Sequence, residues 1–371
     1  MSATRIRIRL LGATIGVAVL FGWYQWDLRT RDALETLKHM NVCIPAVCRD
    51  FTFNDPHDAY RHDACRNQVR HPDALAACVA IHPVHLDVHV FWHGYKCDDN
   101  HLVLFKSLIL AHNTAYLRVI VWLLDDATCL RGIFPNIEFR LFRASAELPS
   151  GYTNLTARME LAMTHNGAFI PHDIKSIYSD MIRWAVLVKY GGLYLDVDCV
   201  VLRDLTPLLH VRPFAYNWGH KPFWNTAIFG MAQQDPLMAR IFRTLLDAQD
   251  QRKELEWNLF YPPATAPVAK AMGVPFLLLS VHIFDPIWLR GDGTDVPHSK
   301  LPPTALAGHN AQLFEKAFAP RPSSLADMAP GAFVFHFHGQ FRLVAAKGSY
   351  AELIHKQYDA LYSVAPPIVV E

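Results

Sequence analysis

The run Ser179–Asp198, SDMIRWAVLVKYGGLYLDVD, constrains this chain more than any other segment. It joins a helical face, a Gly-Gly break, a short apolar strand and two carboxylates one residue apart. Met181, Trp184, Ala185 and Val188 recur at the spacing of a buried helix face. Asp173 can cap that helix, and Gly191 can end it in a left-handed conformation. Leu193, Tyr194 and Leu195 then read as a strand. Side chains two apart on a strand share a face, so Asp196 and Asp198 are expected to point the same way. Neither has a basic residue beside it. Two like charges held at the end of a buried strand are costly unless a cation lies between them. Hard oxygen donors with room for phosphate oxygens suit Mg²⁺ or Mn²⁺.

One turn earlier, Asp180, Arg183 and Leu187 share a helical face at i, i+3 and i+7. An acid that accepts from hydroxyls and a guanidinium that holds phosphate or sugar oxygens together suit a sugar nucleotide. The competing reading of Asp180 and Arg183 is a surface ion pair.

The pattern S-D-x-x-R-x-x-x-L-x-x-Y-G-G-x-Y-L-D-x-D resembles the sugar-binding region of Golgi glycosyltransferases. Those relatives are the α-1,4-galactosyltransferases, the fungal outer-chain and inositol-phosphoceramide mannosyltransferases, and the clostridial glucosylating toxins. The residues that carry the resemblance are Ser179, Asp180, Arg183, Leu187, Tyr190, Gly191, Gly192, Tyr194, Leu195, Asp196 and Asp198. The resemblance implies a GT-A fold, a divalent metal (Mn²⁺ or Mg²⁺), a nucleotide-sugar donor and retention of configuration. It also implies a donor-binding role for Asp180, Arg183, Tyr190, Gly191, Gly192 and Asp196, with Asp196 and Asp198 on the metal.

The flanking chain reads as α/β, a mainly parallel sheet with helices on both faces. Leu86–Trp92 is expected as a first strand closed by His93-Gly94, 103–110 as a helix, 116–124 as a second strand and 137–141 as a third. In the resembled family the first strand leads into a loop that holds the nucleotide base. Phe91, Trp92 and Gly94 are therefore base-binding candidates, with core packing the alternative for the two aromatics. The segment 223–231 carries Asn225 in an otherwise apolar strand, an acceptor-side and catalytic candidate by the same resemblance, although Asp235-Pro236 stands where the relatives often have His-Pro. Phe333–Arg342, FVFHFHGQFR, resembles the family's last strand, in which His336 would complete the metal site. His336 and His338 face the same way on a strand, so the choice between them stays open.

A hydrophobic content of 51% over 371 residues suffices for a large α/β domain, and a net charge of +1 gives no reason to expect a nucleic-acid partner. No P-loop, basic-aromatic stripe or internal repeat is present. Pro pairs at 262–263, 302–303 and 366–367 mark late loops.

At the amino end Arg5, Arg7 and Arg9 precede an uncharged apolar stretch, Leu10–Trp26, edged by Trp23, Tyr24 and Trp26. Its length is at the low end of the spanning range of roughly 17–25 residues. Bulky residues occupy the place where a cleaved signal peptide needs small ones, which favours an uncleaved anchor. Cys43, Cys48, Cys65, Cys78 and Cys97 cluster towards the same end, with Cys129 further on. Their spacing does not suit paired zinc ligands, so disulfides among these six are expected, with pairings open. Cys199 is then the odd thiol, buried in the strand after the acidic pair. Asn154-Leu155-Thr156 is a glycosylation acceptor if the chain is lumenal. The expected organisation is a cytosolic tail (1–9), a signal anchor (10–26), a stem (27–84), a GT-A domain (85–345) and a C-terminal extension (346–371), in a Golgi or endoplasmic-reticulum membrane.

The function expected is a metal-dependent retaining glycosyltransferase that moves a hexose from a UDP- or GDP-sugar to a glycan or glycolipid acceptor. A glycan- or nucleotide-sugar-binding pseudoenzyme of the same fold is the alternative. A metal-dependent phosphate-ester hydrolase would need further short His and Asp motifs, which are absent.

Overall fold

The computed structural model describes residues 85–93, 97–124, 129–134, 136–164, 172–211, 213–217, 224–252, 277–284, 331–337 and 349–362, with positions 260, 265, 267, 268 and 347. Its centre is a seven-stranded sheet in the order β3-β2-β1-β4-β7-β6-β8. The strands are β1 (Leu86–Trp92), β2 (Leu117–Leu123), β3 (Glu138–Leu141), β4 (Gly192–Leu195), β6 (Phe214–Asn217), β7 (Trp224–Met231) and β8 (Leu277–Leu279), while β5 (Cys199–Val201) and β9 (Val334–His336) form a separate antiparallel pair. Strands β3, β2, β1 and β4 run parallel, β7 runs against β4 and β6, and β8 runs with β6. The mainly parallel sheet is the one expected, and the elements 86–92, 103–110, 116–124 and 137–141 fall within a residue or a few of their expected bounds.

Among the described residues, five helices longer than ten residues flank the strands: α1 (Asp99–Ala111), α2 (Thr153–Thr164), α3 (His172–Tyr190), α4 (Pro236–Asp250) and α5 (Tyr350–Tyr362). Alternation along β1 sorts its side chains to two faces. Val88, Val90 and Trp92 join Leu104, Phe105 and Leu108 of α1 in one apolar layer, and Phe91 joins Met181, Trp184 and Ala185 of α3 and Ile241 of α4 in the other. Helices therefore cover both faces, and both layers are buried at their centres.

The link from α3 into β4 depends on two glycines with positive φ, Gly191 at 71° and Gly192 at 95°. The Gly191 amide donates to Leu187 O at 2.8 Å, closing the last helical turn. A Cβ on Gly192 would stand 2.5 Å from Asp87 O, and one on Gly191 would stand 2.6 Å from Gln233 N, so the backbones approach as only glycine allows. The helix starts at His172, which puts Asp173 inside its first turn and not at its cap. Asp235, which stands in place of the relatives' histidine, caps α4 by accepting from Leu237 N and Met238 N at 2.9 Å, with Pro236 at the first helical position.

Cys97 and Cys129 form a disulfide, with Cα atoms 6.0 Å apart, that ties the start of α1 to the chain after β2. Helix α5, expected as an extension, docks on α1: Lys106 Nζ is 2.7 Å from Asp359 Oδ1, and Tyr358 sits edge-on to Phe134. No helix among the described residues is long and apolar enough to cross a membrane. The expected anchor 10–26 and stem, Cys43, Cys48, Cys65 and Cys78, Gly94, His338 and the late Pro pairs lie outside the described residues.

Candidate active site

Strand order sets the location. Successive strands β1, β2 and β3 build outward on one side of β1, and β4 lies on the other, so the order reverses between β1 and β4. A crevice at the carboxyl ends of such strands is where open α/β sheets bind ligands. Asp196 follows β4 directly at that edge, anchored by its amide to Ala227 O at 2.8 Å. Because β7 runs antiparallel to β4, its first residues, Asn225 and Thr226, come to the same edge.

Arg183 reaches this edge from the middle of α3. Its Nη2 is 3.0 Å from Asp196 Oδ1 and 3.1 Å from Asp180 Oδ1. Nη1 donates to Thr226 Oγ1 at 2.9 Å, Nη2 to Ser179 Oγ at 3.0 Å, and the guanidinium carbon lies 4.9 Å from the centre of the Tyr194 ring. The Asp180–Arg183 pair is thus buried, with side chains 9% and 6% exposed, and not a surface contact. Burial would lower the arginine's pKa, but Asp196 and Asp180 beside it carry it above its ordinary value. Burial pushes Asp180 up to about 6 against the pull of Arg183, with Asp196 adding to the rise. Burial raises Asp196 as well, opposed by Arg183 and reinforced by Asp198.

The two acids of the pair do not point one way. β4 ends at Leu195, and 196–198 form a turn before β5, so strand alternation does not govern them. Asp196 turns to Arg183, a basic partner the short run had concealed. Asp198 turns to the two-stranded pair, where its Oδ1 lies 3.2 Å from His336 Nε2. His336 is the cross-strand partner of Cys199, and its Nδ1 is 3.0 Å from the hydroxyl of Tyr216, which is fully buried. Donor atoms of Asp198, Cys199 and His336 all lie within 4.8 Å of one another. Of the three expected metal ligands, Asp198 and His336 stand 3.2 Å apart, and Asp196 is paired with Arg183.

A divalent cation fits these residues. Asp180 and Asp196 share one guanidinium, and Asp198 faces an imidazole. A carboxylate beside a neutral imidazole is a donor set for a divalent first-row ion. The Tyr216 hydroxyl can donate to Nδ1 or accept from it, so it supports either tautomer of the ring.

The other candidates are placed as follows. Phe91 and Trp92 are buried, Phe91 in the α3 layer and Trp92 edge-on to His101 and Phe105. Asn225 turns its Oδ1 back to Ala227 N at 2.7 Å. Its neighbour Thr226 takes the contact with Arg183. Gly191 and Gly192 stand at the amino end of β4, the opposite end from Asp196, and their role here is backbone packing. Tyr190 lies with them, 5.6 Å from the Trp122 ring and donating to Glu147 Oε2 at 3.0 Å. In that group His89 Nε2 meets Gly191 O at 3.0 Å while Nδ1 accepts from Trp122 Nε1 at 3.1 Å. Tyr190, Gly191 and Gly192, expected at the donor, stand at the helix–strand junction in the structure.

Thr226 and Tyr216 were not foreseen. The polar break in the 223–231 strand signalled a site, but alternation lets only one of two adjacent residues face Arg183, and the sequence does not say which. Tyr216 carries no local signal.

Residues 91–215 match the family model described as a glycosyltransferase sugar-binding region containing the DXD motif. Inositol phosphoceramide mannosyltransferase 3 of Schizosaccharomyces pombe is 33% identical over 75 residues, 20% of this chain and 20% of that protein. The chain thus matches about a fifth of the length of that curated relative. Among solved structures, the PaToxG glycosyltransferase aligns over 58% of this chain and 79% of its own, at 15% identity and a TM-score of 0.38. The apo-form glycosyltransferase GlyE of Streptococcus pneumoniae aligns over 74% and 60%, at 14% identity and a TM-score of 0.37. Residues 91–215, which hold the Asp180–Arg183–Asp196 cluster and the Asp-Val-Asp turn, are thus similar to the sugar-binding region of glycosyltransferases that contain the DXD motif.

Proposed function

We propose that this chain is a divalent-metal-dependent retaining hexosyltransferase of the GT-A type, taking a UDP-hexose or GDP-mannose donor and a glycan or glycolipid acceptor. The observation that carries this reading is the buried Arg183, which joins Asp180 to the first acid of the DXD turn while Asp198 stands with His336. Arg183 is paired with both Asp180 and Asp196, so its part is to hold these two acids at the crevice. Asp196, about a quarter exposed, is placed to accept from donor hydroxyls. Asp198 and His336 would hold Mn²⁺ or Mg²⁺, and such an ion, when bound, neutralises the diphosphate leaving group. Tyr216 orients His336, and Thr226 and Ser179 fix the plane of the guanidinium.

We place the catalytic domain in the lumen of the Golgi or endoplasmic reticulum, behind an uncleaved anchor at 10–26. Support comes from the Cys97–Cys129 disulfide, which suits an oxidising compartment, and from the exposure of Asn154 in the first turn of α2. The reading is tested by a thermal-shift panel of UDP, GDP and their sugars, with and without Mn²⁺. A metal-dependent shift for one nucleotide is expected and assigns the donor class. Absence of a shift for every nucleotide would contradict the reading.

A further inference from the structure

We infer that Cys199 is a third protein ligand of the ion held by Asp198 and His336, giving the site a sulfur donor that favours cobalt- and zinc-type ions over magnesium. The inference rests on the metal reading of that pair and extends it to the choice of ion.

The argument starts from the backbone. Cys199 and His336 are directly opposed residues of an antiparallel pair, and such partners project their side chains to the same face. Asp198 precedes Cys199 and is tied to the facing strand by its carbonyl, which accepts from Phe337 N at 2.8 Å. The imidazole is held from behind by Tyr216, 3.0 Å from Nδ1. Three donors of different chemistry are therefore mounted on one rigid pair of strands, with their ligand atoms within 4.8 Å of one another. An ion bound at about 2.0–2.3 Å from oxygen, nitrogen and sulfur asks only a side-chain adjustment of that arrangement.

Cys199 is a fully buried thiol. An all-oxygen site serves magnesium, whereas a thiolate beside an imidazole selects softer ions. Ion binding would displace the thiol proton to water. Any position of the ion left open by the protein would be available to the donor's phosphate oxygens or to water.

The test is Co²⁺ titration of the metal-stripped full-length protein, read by near-ultraviolet absorption and by thermal shift, for the wild type, Cys199→Ser, Cys199→Ala and Asp198→Asn. The wild type should develop an intense thiolate-to-cobalt charge-transfer band together with a rise in Tm. Both cysteine variants should lose the band and bind Co²⁺ at least the roughly tenfold more weakly that losing even an outer partner costs, with Mg²⁺ binding nearly unchanged. Asp198→Asn should lose the band too, which separates this site from the chain's other cysteines. A Tm rise without the band, or a band that survives in both cysteine variants, overturns the sulfur ligand and leaves the Asp198–His336 site standing. No response to Co²⁺ at all overturns both.

Discussion

Arg183 Nη2 lies 3.0 Å from Asp196 Oδ1, so the acid that opens the Asp-Val-Asp turn is held by a guanidinium from the preceding helix and not by the turn itself. The same nitrogen meets Asp180 at 3.1 Å, and Thr226, Ser179 and the Tyr194 ring fill the remaining directions. A lysine could keep the charge but could not make a planar fork of contacts. Arg183→Lys is expected to lower turnover about a hundredfold, the scale of a misplacement near 1 Å. Its loss of stability should stay well short of the roughly 3–5 kcal/mol that removing one partner of a buried pair costs. Steady-state kinetics beside urea denaturation checks the two effects separately. A variant with unchanged turnover would reduce the cluster to a structural ion pair.

Asp180 has a folded-state pKa raised to about 6 by burial, from 3.8. The sign follows from linkage: a carboxyl that prefers its proton in the folded state contributes stability below about pH 4, and that contribution is lost as pH rises through about 6. Asp180→Asn should therefore gain stability relative to the wild type between pH 4 and pH 7, by about 3 kcal/mol in the metal-free protein. Denaturation midpoints across that range, in chelator, read the difference. A gap that does not change with pH would place Asp180 in contact with water.

His89 behaves in the opposite sense. Burial lowers it to about 4, and its neutral ring bridges Trp122 and Gly191 O. Stability from this ring is complete above about pH 6.5 and is lost as pH falls through about 4. His89→Gln should be less stable at neutral pH and flatten the acid limb of the stability curve, as measured by denaturant midpoints from pH 7 to pH 4. An acid limb as steep as the wild type's would mean that His89 takes up its proton equally in the folded and the unfolded chain.

Gly192 tests whether the Gly-Gly pair serves the donor or the fold. With φ at 95° and Asp87 O in the place of a Cβ, Gly192→Ala should cost about 2–4 kcal/mol. Nucleotide affinity of the folded fraction, measured by calorimetry at low temperature, should match the wild type. Normal stability with weakened nucleotide binding would return the glycine to the donor site.

Much of this architecture is legible in the sequence because it is local. Periodicity marks α3 and β4, apolar runs mark β1 and β2, and the unbroken motif from Ser179 to Asp198 marks the site. What escapes is contact between distant segments. The two aspartates look alike in a strand reading, yet a turn sends one to Arg183 and the other to His336, 138 positions along the chain. The family motif also groups residues that fold to opposite ends of β4, so Tyr190 and the two glycines were read as donor contacts when their neighbours are His89, Trp122 and Asp87. Spacing alone cannot separate a residue that touches a ligand from one that lets the motif fold.

The topology proposal is checked in microsomes. If 10–26 is an uncleaved anchor, the protein should resist alkaline extraction, Asn154 should carry glycan removable by endoglycosidase, and added protease should spare the chain beyond Asp27. The Cys97–Cys129 loop should make the protein run faster on non-reducing gels. Digestion of the folded domain from outside would overturn the lumenal placement and leave the active-site account untouched.

On the proposed reading, Asp198 serves a metal that assists departure of the nucleoside diphosphate. It is tested most directly by measuring nucleotide release from UDP- and GDP-sugars, with Mn²⁺ and with chelator, for the wild type and Asp198→Asn. The wild type should release nucleotide from one donor class only when the metal is present. The variant should release none while keeping a Tm at or above that of the metal-free wild type, since it removes a partly buried charge. Near-wild-type release by Asp198→Asn in Mn²⁺, or equal release with chelator, would contradict the account.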